Sequence, residues 1–101
     1  MDFADLLVLG HMQANPDREG YPQKSEFVPE ISVYGERQGV TREEHYKAAA
    51  IGKTISAVFV VWADEYTGQS TVQQGKMLYH VERAYPKGAY CHLSCTLDGQ
   101  K

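Results

Sequence analysis

The chain has 101 residues and a formal net charge of −3, which suits a single domain spanning residues 1–101 and leaves no room for two. Hydrophobic residues make up 43% and charged residues 23%, an ordinary globular balance from which one modest core can be built. Ten Lys and Arg are scattered among thirteen acids without a basic run, so a grip on DNA through its phosphates, which needs a basic stripe, is not expected.

Residues 3–9 are apolar apart from Asp5 and bounded by Gly10, a first strand that can continue to about Gln13. Residues 15–22 hold two prolines, a glycine, an asparagine and an aspartate, each a turn former for its own reason, and read as a long hairpin tip. Residues 25–36 are extended again, with Phe27, Pro29, Ile31 and Val33 on one face. Pro29 lacks an amide donor and belongs at an edge or a bulge.

One short helix is well signalled at residues 41–51. Thr41 can cap it, and Glu44, three residues on, can close a capping box by reaching back to the Thr41 amide. Ala48, Ala49 and Ala50 are strong helix formers, and Gly52 supplies a left-handed stop. A helix this short needs packing to persist. Tyr46, Ala49 and Ala50 (or Ile51) are the residues expected to face the body.

Residues 53–63 place Ile55, Ala57, Phe59 and Val61 on one face and Val58, Val60 and Trp62 on the other. An apolar middle on both faces marks a central strand or one with a face in a subunit interface. Residues 64–69 form a loop, and 70–74 a short strand. Gly75 and Lys76 turn the chain into a strand at 77–85, where Met77, Tyr79, Val81 and Tyr85 share a face. Pro86, Lys87 and Gly88 turn into a last strand at 89–97, with Cys91, Leu93, Cys95 and Leu97 on one face. Residues 98–101 read as a frayed tail. The pattern predicts a mainly β fold: a small antiparallel barrel or sandwich of about six strands with one short inserted α-helix.

No chemistry emerges from residue spacing. Cys91 and Cys95 would lie ~13 Å apart along a strand, beyond the roughly 7 Å reach of a disulfide, and read as reduced core residues. His11, His45, His80 and His92 fall on four different elements without metal-ligand spacing, although His80 and His92 could be neighbours across the final hairpin. No phosphate-binding glycine loop or nucleophile elbow is present. Glu43 and Glu44, adjacent on a helix, diverge. We therefore expect no catalytic residues, no cofactor and no metal. Asp2 and Asp5 stand where a signal peptide needs a basic region, and no apolar run approaches the roughly 20 residues that cross a bilayer, so neither secretion nor a membrane partner is expected.

From Ile31 to Leu97 the order of motifs resembles the head closure proteins of long-tailed phages and prophages, also called head–tail adaptor or stopper proteins. The strand Ile31-Ser32-Val33-Tyr34-Gly35-Glu36 leads to a Glu-x-Tyr-x-Ala helix, present as Glu44-His45-Tyr46-Lys47-Ala48 and ended by Gly52. An Asp-Tyr type loop follows as Asp64-Glu65-Tyr66. Gly75 then precedes Tyr79-His80-Val81-Glu82-Arg83-Ala84-Tyr85, and His92-Leu93 stands where the family carries an acid–Leu pair. The departures are His45 in place of a common aromatic and His92 in place of the acid.

The resemblance implies a non-enzymatic virion subunit, made in the host cytoplasm, that assembles with itself as a dodecameric ring below the portal and adaptor proteins. Such a ring closes the DNA channel after packaging and offers the docking surface for the tail terminator or other tail proteins, with double-stranded DNA present only as channel contents. Candidate interface or structural residues are Glu44, Tyr46, Val58, Val60, Trp62 and Arg83. A guanidinium on the Tyr79, Val81 and Tyr85 face would be buried and needs a carboxylate, for which Glu44 is the expected partner; at a strand end it would instead reach solvent. Loop candidates for the channel or the tail are Asn15, Asp17, Arg18, Glu19, Arg37 and Gln38. Alternatives are another connector, tail-completion or minor capsid role, and a small barrel that stacks single-stranded nucleic acid on its aromatics, which the acidic balance opposes.

Overall fold

The computed structural model describes residues 3–14, 25–52 and 54–97. Within them lie six antiparallel strands, β1 (Asp5–Ala14), β2 (Ser25–Gln38), β3 (Ala57–Trp62), β4 (Thr71–Gln74), β5 (Met77–Lys87) and β6 (Tyr90–Leu97), with one α-helix, α1 (Arg42–Ala49), between β2 and β3. They pair in the order β1-β2-β3-β6-β5-β4. The sheet closes where Val8, Leu9 and Gly10 of β1 meet Gln73, Val72 and Thr71 of β4. Closure removes most of the free edge that a small open sheet would expose. The mainly β fold with a short inserted helix is as the residue pattern predicts.

The inward side chains alternate along every strand, as a pleated chain requires. Leu7, Leu9, Phe59, Val61, Val72 and Leu93 are fully covered. Phe59 meets Tyr79 edge-on at 5.1 Å, and Cys91 and Cys95 are buried, free thiols of this core. Burial pushes the Cys95 thiol up to about 12. Gly35 is also inside, because a Cβ there would stand 2.6 Å from the Val60 carbonyl oxygen.

Two β-bulges change faces that simple alternation assigns. On β2, Ile31 opposes Leu9 while Pro29 opposes Gly10, so Glu30 is the extra residue. Phe27 and Pro29 consequently leave the face of Ile31 and Val33. On β5, Val81 opposes Cys95 and Arg83 opposes Ser94, with Glu82 as the extra residue. Tyr79 and Val81 stay inward, whereas Arg83 and Tyr85 turn to the outer surface instead of sharing their face. One inserted residue shifts parity by one, and in a period-two element that reverses every later side chain.

Element ends differ in smaller ways. β2 runs on through Arg37 and Gln38, which pair with Phe59 and Val58; both are strand residues and not the loop residues expected. β5 extends through Pro86 to Lys87, so the turn into β6 is Gly88-Ala89, with Gly88 at φ 64. Pro86 is tolerated because β4 pairs with β5 only as far as His80, leaving the other edge of β5 open where the missing amide would point. β3 begins only at Ala57, so Ile55 does not share its face. Ile55 packs instead with Ala48, Val58 and Val40 in a second small cluster. The hairpin joining β1 and β2 is present, with Ala14 opposite Ser25; its tip, including Asn15, Asp17, Arg18 and Glu19, lies outside the described residues.

Helix α1 starts as expected and faces the other way. Thr41 Oγ1 accepts from the Glu44 amide at 3.1 Å, and Gly52 ends the helical turn at φ 74. The buried residues are Glu44 and Ala48, while Tyr46, Ala49, Ala50 and Ile51 are all exposed. The Glu44 carboxylate, rather than closing a capping box, is turned down onto the sheet. The small Ala48 lets the helix sit close on Val58 and Ile55, and this narrow seat excludes a Tyr or Ile side chain.

Candidate functional site

The outer surface of β2, β3, β6 and β5 is laid out in rows by the strand register. The first row, under α1, is Gln38, Val58, Ser94 and Arg83. The second, two residues along each strand and so about 7 Å further, is Glu36, Val60, His92 and Tyr85. The third pairs Trp62 with Tyr90 and Tyr90 with Lys87; continuation of the β2–β3 register brings Tyr34 level with Trp62, and Leu6 opposes Tyr34.

The first row carries a polar cluster. Glu44 is only 7% exposed. One of its carboxylate oxygens accepts from Ser94 Oγ at 2.9 Å, and the other stands 3.7 Å from Arg83 Nη1. A carboxylate withdrawn from water needs such partners, because desolvation strongly disfavours it alone. Arg83 is less confined: its side chain keeps 42% of its exposure and its guanidinium lies over the Tyr85 ring at 4.7 Å. Tyr85 in turn stacks on His92, with centroids 5.1 Å apart and planes inclined by 10°. Burial, then the neighbouring Glu44, pushes the Tyr85 phenol up. Burial, then the Lys87 charge, holds the His92 imidazole below its usual value, partly countered by Glu44. A chain of contacts thus runs from the helix through the salt bridge and the ring stack towards the third row. Beside the helix, Lys47, Ala48, Ile51, Ile55, Glu82 and Arg83 line a cleft of about 210 Å³.

The third row is aromatic. Trp62 and Tyr90 lie 5.0 Å apart, and Phe3 packs edge-on against both at 5.2 and 5.5 Å. Trp62 remains 44% exposed and Tyr34 59%. Leu6 is also exposed.

The candidate interface residues therefore separate. Glu44 and Arg83 come together, while Tyr46 and Trp62 lie open on the surface. Val58 and Val60 are buried within the chain under its own helix and side chains, and offer no surface to a neighbour; of the second face of β3 only Trp62 stays open. Arg37 is near the end of β2, where its amide donates to Asp5 Oδ2 at 2.9 Å and its guanidinium lies 5.5 Å from the Tyr79 ring centre. Gln38 Nε2 donates to Glu36. His80 and His92 are not cross-strand neighbours, since His80 opposes Thr96 and His92 opposes Tyr85; the tight Gly88-Ala89 turn, which sets Lys87 opposite Tyr90, fixes this offset.

Residue alternation in β6 already carried Ser94, His92 and Tyr90 on the face opposite Leu93 and Cys95, yet their partners were hidden by the β5 bulge. A second polar cluster ties the hairpin base to the β3–β4 loop: His11 Nδ1 and Glu30 Oε2 are 2.5 Å apart, Gln69 Nε2 donates to Glu30 and to Thr67, and the Tyr66 hydroxyl donates to the Gln69 carbonyl. Among the described residues, no group of three or more His, Cys, Asp or Glu side chains could hold a metal ion.

Fold and surface together define the chain as a small closed β-barrel domain with a helix laid across its outer face and an exposed aromatic row beside it. No protein-family model matches the chain, and no curated protein matches it.

Proposed function

We propose that the chain is a structural subunit of the head–tail connector of a long-tailed phage or prophage, a ring component that closes the DNA channel and receives the tail. The observation that carries this reading is the meeting of two separate motifs. The Glu-x-Tyr-x-Ala helix and the Tyr-x-Val-x-Arg-x-Tyr strand resemble one family in sequence. The charges these two motifs carry, Glu44 and Arg83, face each other across the outer side of the sheet at 3.7 Å. The closed antiparallel barrel with an inserted helix supports it too, since that is the architecture the resemblance implies. A net charge of −3 suits a wall past which DNA must move without adhering. Among the described residues no helix is long and apolar enough to cross a membrane.

In this role the portal and adaptor proteins lie on one side of the ring and tail proteins on the other, and the hairpin residues Asn15, Asp17, Arg18 and Glu19 are the candidates to reach the channel or the tail. Antibody-gold labelling of complete particles tests the placement. Label confined to the vertex where the tail joins is the expected result, and label along the tail or over the capsid shell refutes it. The exposed aromatics also favour a second reading, a platform for single-stranded nucleic acid. Retardation of a fluorescent oligonucleotide that weakens as salt rises would support that reading in place of the first.

A further inference from the structure

Among the described residues, two apolar surfaces remain open to solvent. One is the outward side of α1, where Tyr46 is 69% exposed and Ala49, Ala50 and Ile51 are open beside it. A surface helix ordinarily turns its apolar stripe to the core; this one turns in Glu44 and Ala48 and leaves the stripe outside. The other is the row of Leu6, Tyr34 and Trp62 on β1, β2 and β3, where Trp62, packed on Phe3 and the half-buried Tyr90, is still 44% exposed.

Their charged surroundings are opposite. The exposed part of the helix carries Arg42 beside the Glu43–Lys47 ion pair at 3.0 Å, whose charges cancel, so its net charge is that of Arg42. The row is bordered by three acids, Glu36 on β2 and Asp64 and Glu65 in the turn that follows Trp62, against one cation, Lys87, opposite Tyr90. Two apolar patches that differ in shape and in flanking charge, on one chain, suit a heterologous contact, in which copies join head to tail.

We infer that the aromatic row of one copy packs on the Arg42–Tyr46–Ala50 stripe of the next. This inference rests on the ring reading for its biological setting and names the two surfaces that would form the ring's seam. Tyr46 and Trp62 are the anchors, as large rings are in most interfaces. The acids beside Trp62 face Arg42 and fix the direction of joining.

A mixing experiment with the full-length chain tests it. Tyr34→Glu disables the row and Tyr46→Glu the helix stripe; both positions are exposed, and circular dichroism checks that each variant keeps its fold. By sedimentation velocity the unaltered chain associates in a concentration-dependent manner, and each variant alone loses association by roughly 30-fold or more, the loss expected for an interface anchor. Mixed one to one, the two variants form a dimer and stop there, because one intact surface remains on each. Because Tyr34 could be replaced by a neighbour in the row, Leu6→Glu paired with Arg42→Glu repeats the test. A mixture that stays monomeric while the unaltered chain associates overturns the inference, as does an unaltered chain that stays monomeric to about 1 mM, the weak limit of specific binding. Either result leaves the gold-labelling test of the connector role untouched, so the two readings fail separately.

Discussion

Replacing Glu44 by alanine probes the link between helix and sheet most directly. The substitution removes a carboxylate that is 7% exposed and leaves the buried Ser94 hydroxyl, now bonded to it at 2.9 Å, without its acceptor. An unsatisfied buried hydroxyl costs about 1–3 kcal/mol, and loss of a negative charge in the first helical turn adds about 0.3–1 kcal/mol. The Arg83 contact adds little, because its side chain is 42% exposed and the separation is 3.7 Å; a solvent-accessible pair contributes about 0–1 kcal/mol. The expected total is ~2–3 kcal/mol, a large share of the roughly 5–15 kcal/mol that holds a domain together. At about 4–8 °C per kcal/mol for a domain near this size, melting should fall by roughly 10–20 °C. Arg83→Ala should cost only ~1 kcal/mol, and Glu44→Gln, which keeps an acceptor for Ser94, should fall between the two. Urea unfolding followed by tryptophan fluorescence measures all three. If Arg83→Ala proves more damaging than Glu44→Ala, or Glu44→Ala costs under about 0.5 kcal/mol, the placement of the carboxylate against Ser94 is wrong.

Three further expectations follow from the same structure. His92 is held neutral by burial and by Lys87, so the unfolded chain binds its proton more readily; stability should be complete above the imidazole's ordinary value near 6.5 and decline as pH falls below it. The unaltered chain and His92→Gln, compared by urea melts between pH 5 and 8, should diverge in slope only on the acid side, and equal slopes would refute the assignment. Gly10→Ala sets a Cβ 2.1 Å from the Val28 carbonyl oxygen at the bulged crossing of β1 and β2, and thermal denaturation should register a loss of about 1–3 kcal/mol, the range for forced overpacking; a neutral result would mean the two strands are not so close there. The Cys95 thiol, buried and pushed up to about 12, should resist iodoacetamide at pH 8 in the folded chain and react in urea; rapid native labelling shown by mass spectrometry would contradict its place in the core.

Much of this architecture could be read from local signals. Strand alternation, the Gly75 and Gly88 turns and the Thr41 cap each report a backbone requirement met within a few residues, and the elements they mark are all present. The Glu44–Arg83 pairing was expected from a buried apolar face on which Arg83 does not lie: the Glu82 bulge turns it outward, where it meets Glu44 and keeps 42% of its side-chain exposure. The β2 bulge was signalled by Pro29, which belongs at an edge or a bulge, but sequence could not locate the Glu82 bulge, because an extra residue leaves the same local pattern and declares itself only against the partner strand. The Glu82 bulge turned Arg83 and Tyr85 to the face opposite Tyr79 and Val81, while the Gly88-Ala89 turn set Tyr85 opposite His92 and kept His80 away from it. Helix α1 misled for a related reason. Its apolar stripe was assigned to the body, yet the seat on Val58 and Ile55 admits only Ala48 and a carboxylate directed at Ser94. Val58 and Val60 were equally ambiguous, since two apolar faces on β3 are satisfied as well by the chain's own helix as by a neighbouring subunit.

The connector role is tested most directly by producing particles in the absence of this chain and viewing them by negative-stain electron microscopy. The account predicts finished tails and capsids that lie apart, with heads that lose their DNA, and rescue when the chain is supplied. Complete tailed particles with full heads, formed at normal yield without it, would contradict the account.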